Sequence, residues 1–235
     1  MTKLVYSIFL ISLIVSCSTP VENELRKTIV TKENAKDNQS ITENKQPVSI
    51  KIEYERFQPN QIHGIEITNY QIETTHSFDS INIVIAYSDG DLESSAAPTS
   101  WGDRLIMMEG DSILFESKPV GDPYQYEPFF YRNSENNKVI IICQLGDEEN
   151  YGGEAFLLQN RTIEFIGKIE VESPYETEYN TNLIEIIRVS ELENTLYFNF
   201  ESDSLINLKM EDRIKVKNDS INYKYEHKSF ELIGL

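Results

Sequence analysis

Runs in which apolar side chains recur at every second position appear again and again from Val48 onward, and this period limits the fold more than any other feature. Val48, Ile50, Ile52 and Tyr54 alternate with Ser49, Lys51 and Glu53, the pattern of a strand with one dry and one wet face. Ile65, Ile67, Tyr70 and Ile72 continue the style after Gly64, and Ile81, Ile83 and Ile85 run up to the turn cluster Ser88-Asp89-Gly90-Asp91. A turn-forming Asp or Asn, then Ser or Thr and an aliphatic residue, opens run after run: Asp79-Ser80-Ile81, Asp111-Ser112-Ile113, Asn194-Thr195-Leu196, Asp203-Ser204-Leu205 and Asp219-Ser220-Ile221. Asp and Asn bond back to nearby backbone and favour turns, whereas the residues behind them favour a pleated surface. The spacings are irregular, so the pattern predicts hairpins and not a strict repeat.

Three hairpins are predicted: Arg104–Met108 with Ile113–Phe115, Ala155–Leu158 with Ile163–Ile166, and Arg213–Lys217 with Ile221–Tyr225. Leu183 to Leu192 admits a helix face, but its β-branched content favours a strand. No Gly/Pro/Ser-rich linker divides this region. The expected architecture is a single all-β domain, residues 48–235: a mainly antiparallel sandwich or open barrel built from hairpins, with a degenerate propeller as the alternative.

Residues 17–47 have a different composition, rich in Lys, Glu, Asn, Thr and Gln and poor in aromatics. Such a stretch buries too little apolar area to offset the entropy of ordering, so it reads as a flexible polar tether, with a weak helix from Asn23 to Lys36 as the competing reading. Ahead of it, Lys3 is followed by an apolar run from Leu4 to Val15. That run is shorter than the ~20 residues a membrane-spanning helix needs, which favours an export signal. Its end, Ile14-Val15-Ser16-Cys17, resembles the lipobox of bacterial lipoproteins. The resemblance implies a signal peptide over residues 1–16, cleavage before Cys17, a diacylglycerol on the Cys17 thiol and an acyl chain on the new amino group. It also implies a lipid-anchored place in the cell envelope. The outer membrane is the expected address, since Ser18 is not the aspartate that retains enteric lipoproteins in the inner membrane; a Gram-positive surface is the other. Each buried CH₂ of lipid contributes about 0.8 kcal/mol, so several chains make a lasting anchor.

The chain carries 39 Asp+Glu against 21 Lys+Arg, a formal charge of −18. Phosphate backbones are repelled by such a surface, and no basic stripe with interleaved aromatics exists, so nucleic acid is excluded as a partner. The same charge opposes adhesion to an anionic leaflet, which leaves the lipid as the membrane contact. Of the two cysteines one is taken by lipid, and Cys143 stands alone in the apolar run Val139 to Leu145. No disulfide framework can form; Cys143 is expected to behave as a small buried hydrophobe.

Few stretches suggest chemistry. Asp89, Asp91 and Glu93 offer closely spaced oxygens to a calcium ion, but Ser94 and Ser100 stand where an EF-hand loop needs Gly and Glu, and a solvated acidic turn is the competing reading. Tyr124, Tyr126 and Phe130 belong to the densest aromatic stretch, Pro123 to Tyr131, which follows shortly after Trp101. If exposed, such rings stack on a glycan or anchor a protein partner; otherwise they pack into the core. Asp122 and Glu127 flank them as the nominal carboxylate pair of a glycosidase. His63, His76 and His227 lie among polar neighbours and read as surface or turn residues. No HExxH, CxxC, GxSxG or glycine-rich phosphate loop is present. The Asp-Ser-aliphatic triplets also resemble the O-glycosylation signal of Bacteroidota envelope proteins, which implies sugars on Ser80, Ser112, Ser204 or Ser220. The leading functional expectation is a non-catalytic binding or assembly module for an envelope protein or glycan. A secreted carboxylate-dependent hydrolase and an inhibitor of a foreign enzyme are the alternatives.

Overall fold

The apolar run that begins at Val139 forms a strand with no wet face, and the remaining layers stack on its two sides. The computed structural model describes residues 49–90, 101–121, 123, 125–146, 150–172, 183–208, 215–217 and 221–234. In chain order the strands are β1 (Ile52–Glu53), β2 (Glu55–Phe57), β3 (Asn60–Gln61), β4 (Gln71–Phe78), β5 (Ile81–Ser88), β6 (Gly102–Glu109) and β7 (Ser112–Glu116). Next come β8 (Gln125–Arg132), β9 (Val139–Gly146), β10 (Asn150–Gln159), β11 (Thr162–Ile169) and β12 (Val171–Glu172). One helical turn, α1 (Leu183–Ile186), leads into β13 (Ile187–Leu192), β14 (Thr195–Phe200), β15 (Ser204–Asn207), β16 (Lys215–Lys217), β17 (Asn222–Glu226) and β18 (Ser229–Ile233).

Three antiparallel five-stranded sheets result. The first has the order β3-β4-β5-β6-β7, the central one β11-β10-β9-β8-β2 and the third β1-β13-β14-β17-β18; a small sheet, β12-β15-β16, completes the set. Alternation along β9 explains the stacking. Ile141, Cys143 and Leu145 join Tyr126, Phe130 and Phe156 against Ile83, Ile85, Leu105 and Met107 of the first sheet. Ile140 and Ile142 face the other way, with Ala155 and Ile166, toward Val189, Phe198 and Tyr223 of the third. A further cluster, Val84, Ala86, Ile106 and Met108, covers the outer face of the first sheet beneath Ile65, Ile67, Tyr70 and Ile72. None of the sheets closes on itself. The form taken is therefore a sandwich, three sheets deep, and neither a barrel nor a ring of blades.

The segment from Ile52 to Gln61 ties these layers together. Its β1 pairs with β13 of the third sheet, β2 with β8 of the central sheet and β3 with β4 of the first. Within ten residues the chain supplies an edge strand to each large sheet in turn.

Two predicted hairpins form as expected, β6 with β7 and β10 with β11. The third does not. Lys215–Lys217 pairs with β15, while β17 lies between β14 and β18. Ring packing accounts for this choice: Tyr223, 1% exposed, stacks on Phe230 of β18 with centroids 4.8 Å apart. The β17–β18 turn is His227-Lys228, with φ of 50° and 65°, and Glu193-Asn194 and Asn160-Arg161 likewise have positive φ at both positions, as two-residue type I′ turns require. Leu183 to Leu192 divides between the two readings, one helical turn and then strand β13. Ile65 and Ile67 lie outside any strand and serve as a cover. Contact between the central and third sheets depends on Gly167 of β11, where a Cβ would lie 2.1 Å from Cδ1 of Phe230.

Ile141 and Ile142 are both 0% exposed but face different layers. Ile141→Ala and Ile142→Ala are each expected to cost about 2–5 kcal/mol in urea unfolding, and Gly167→Ala about 1–3 kcal/mol through overpacking. Comparable losses on both faces are the expected result; a face whose truncation costs nothing is not a core.

Candidate functional site

Where the Ile52–Gln61 segment crosses the sheet edges, three connections gather around it. They are the β4–β5 turn at Asp79, the β8–β9 connection from Asn133 to Asn137, and the β10–β11 turn at Asn160-Arg161; together with β2 they line a groove of about 1020 Å³. Its apolar lining comes from Phe57, Phe78, Ile81, Val139 and Leu158, and its charged lining is Glu53, Glu55, Arg56, Asp79, Arg132, Lys138 and Arg161, with Arg56 lying 4.5 Å from the Phe129 ring centroid.

The β8–β9 connection is shaped by its own asparagines. The Glu135 N–H donates to Oδ1 of Asn133 at 2.5 Å and the Lys138 N–H to Oδ1 of Asn136 at 3.1 Å, two Asx turns in succession. Asn133 Nδ2 donates to the Glu53 carbonyl at 2.7 Å, fastening the connection to β1. A buried polar cluster anchors its far end. Tyr54 Oη donates to Glu191 Oε2 at 2.6 Å, Asn136 Nδ2 donates to that same oxygen at 3.2 Å and to Tyr54 Oη at 3.1 Å, and Lys138 Nζ pairs with Glu191 Oε1. Glu191 is only 4% exposed, so its charge is tolerated because each oxygen is met. Burial, reinforced by the hydrogen bond to Glu191, raises the Tyr54 phenol above its ordinary range.

Arg132 has a different setting. It stands directly opposite Glu55 in the β2–β8 register, yet the two do not pair. Its guanidinium carbon lies 4.4 Å from the Phe57 ring centroid, a cation–π contact made by a residue that is itself exposed. Among the described residues no carboxylate pairs with Arg132. Arg161 pairs with Glu109, and both side chains are substantially exposed.

None of the residues expected to bind that the structure describes lines this groove. Tyr126, 5% exposed, and Phe130, 1% exposed, point into the layer between the central and first sheets. Tyr126 Oη donates to Glu154 Oε2 at 2.9 Å, and Phe130 packs against Phe57, Phe78 and His76. Neither ring offers a face to a glycan or a protein partner; both follow the inward alternation of β8. Trp101 is half-buried just ahead of β6, and Tyr124 lies outside the described residues. Glu127 is exposed on the opposite face of β8, within 3.3 Å of Gln125 Nε2, while Asp122 lies outside the described residues. Asp89 is exposed; Asp91, Glu93 and Cys17 lie outside the described residues. No group of three or more His, Cys, Asp or Glu side chains converges among the described residues. His76 is not a surface residue: it is buried in β4, and burial lowers its pKa against an opposing pull from Glu127. Cys143 is fully buried, and burial pushes its thiol well up. Ser80 and Ser112 are exposed, Ser204 is half-buried, and Ser220 lies outside the described residues.

Sequence reasoning passed over Arg132, Lys138 and Glu191. The available signal was Arg132-Asn133-Ser134-Glu135-Asn136-Asn137-Lys138, a polar tract with a cation at each end between two apolar strands of an acidic chain. Comparison of the chain with protein-family models, curated proteins and solved structures finds no match.

Glu191→Ala leaves Lys138 and Tyr54 without their buried acceptor and is expected to cost about 3–5 kcal/mol in chemical denaturation. A pH series tests a second buried acid. Burial raises the Glu154 carboxyl above its ordinary value of 4.5, partly opposed by Tyr126 and Lys168. The folded state then holds its proton more tightly than the unfolded one, so this contribution is fully present below the ordinary value and is lost as pH climbs through the raised one. Glu154→Gln is expected to remove that loss, making the variant less sensitive to rising pH than the wild type; parallel stability curves would contradict it.

Proposed function

We propose that this protein is a lipid-anchored module of the cell envelope that holds a ligand in the groove beside β2 and does no chemistry on it. In this reading the acyl chains on Cys17 fix it to the outer membrane, residues 17–47 give it reach, and the β domain presents the groove. One observation carries the binding role: Arg132, 4.4 Å from the Phe57 ring centroid, meets no carboxylate of the described residues, in a chain whose formal charge is −18. An exposed cation amid so many acids, on a framework fixed by Asx turns and a buried ion pair, is arranged to receive something from outside. The ligand class that fits is an envelope glycan.

Membrane attachment is tested by radiolabelled palmitate and fractionation. Wild type is expected to take up label and sediment with membranes, and Cys17→Ala to do neither. An unlabelled wild type, or a Cys17→Ala chain that still fractionates with membranes, removes the anchor from the proposal.

A further inference from the structure

Resting on that binding role, we infer that the groove recognises the carboxylate of an acidic sugar, so that the ligand is a uronate-bearing oligosaccharide. Arg132 supplies the primary contact. A guanidinium carries coplanar N–H pairs, and those match the two oxygens of a carboxylate. Arg161 can supply a second contact, because its pair with Glu109 is exposed at both ends, with side chains 57% and 40% accessible. Exposed pairs of this kind hold weakly and exchange readily for another anion.

The acidic residues of the same groove narrow the choice. Glu55 and Asp79, both exposed, line it with Arg132. Carboxylates only accept hydrogen bonds, so a ligand seated between them and Arg132 must bring donors as well as an anion. Sugar hydroxyls are such donors, and a uronate carries them on the same ring as its carboxylate. A densely charged polyphosphate brings anions without donors and is repelled by Glu55 and Asp79. An acidic peptide brings backbone N–H groups, and an extended peptide pairs these along a free sheet edge. The edge strands that line the groove are β2, with three residues, and β1, with two. Neither can carry a ladder of useful length. The volume of about 1020 Å³ exceeds what a single sugar fills and suits a short oligomer.

Calorimetric titration of the full chain in detergent micelles with oligogalacturonate, its methyl ester and oligoglutamate tests this. Oligogalacturonate is expected to bind, the ester and the Arg132→Gln variant each to weaken binding about tenfold or more, and Arg132→Lys to recover only part, since it restores charge without the fork. Arg132 is exposed, so an unchanged melting temperature is expected to show that the variants are folded; Arg161→Gln, expected to weaken binding less, gives a second readout at a separate turn. No binding of oligogalacturonate, equal binding by wild type and Arg132→Gln, or tighter binding of oligoglutamate would each overturn the inference. New reducing ends appearing alongside Arg132-dependent binding would uphold the carboxylate site and sink the non-catalytic role, which keeps the two failures apart.

Discussion

A strand that is apolar on both faces needs a layer on each side, and β9 imposes that demand on the whole domain. Ile141 and Cys143 require the first sheet; Ile140 and Ile142 require the third. Burial of apolar surface has no preferred direction, so packing alone does not fix how three stacked sheets are joined. Ile52 to Gln61 fixes it through hydrogen bonds, which are directional, by adding an edge strand to each sheet within one short stretch. The order of the layers follows from packing, and their register at this edge from the lacing.

The groove is a consequence of the same arrangement. Wherever a chain steps from the edge of one sheet to the next, side chains that would otherwise point to solvent are drawn together with the turns at that end of the domain. Here the step brings Glu55 and Phe57 to the β8–β9 connection, and the Tyr54, Asn136, Lys138 and Glu191 cluster ties that connection to the third sheet. A buried ion pair is weak support for stability in general. Its contribution here is positional, since Asn136 and Lys138 also close the connection that follows Arg132. The rigidity of the groove and the joining of the central and third sheets thus share residues.

Much of the fold was legible because period and turn chemistry are local properties. Alternation at Ile81, Ile83 and Ile85, and the Asp-Ser and Asn-containing turns, describe strands and hairpins without reference to distant residues. The third layer was not legible in that way. Val139 to Cys143 lacks alternation, which is the mark of two covered faces, but the run alone does not say what covers them. His227-Lys228 gave little turn signal, because the pair contains no Gly, Asn or Asp and Lys has no preference for positive φ; the stacking of Tyr223 on Phe230 sets that hairpin from a distance. Tyr126 and Phe130 looked like a binding surface because their density in sequence is visible and their inward direction depends on register. Arg132 was invisible for the converse reason. Only the pairing of β2 with β8 places Phe57 beneath it.

Electrostatics give the groove a significance its few cations would lack in a balanced chain. A formal charge of −18 lowers the concentration of anions everywhere near the surface, and at physiological salt that field decays over about 8 Å. An anionic ligand therefore gains nothing from the general surface and is favoured only where a cation stands close with its donors outward. Surrounding acid weakens nonspecific adhesion more than it weakens a contact made at hydrogen-bond distance, so discrimination increases although affinity falls. Contact with Phe57, 4.4 Å from guanidinium carbon to ring centroid, restricts the Arg132 side chain, and a restricted side chain has less entropy to lose in any contact it makes. Arg132 is one such cation and Arg56, 4.5 Å from the Phe129 ring centroid, is another in the same groove, so the acid around them leaves two ring-supported guanidinium groups where a contact at hydrogen-bond distance is favoured.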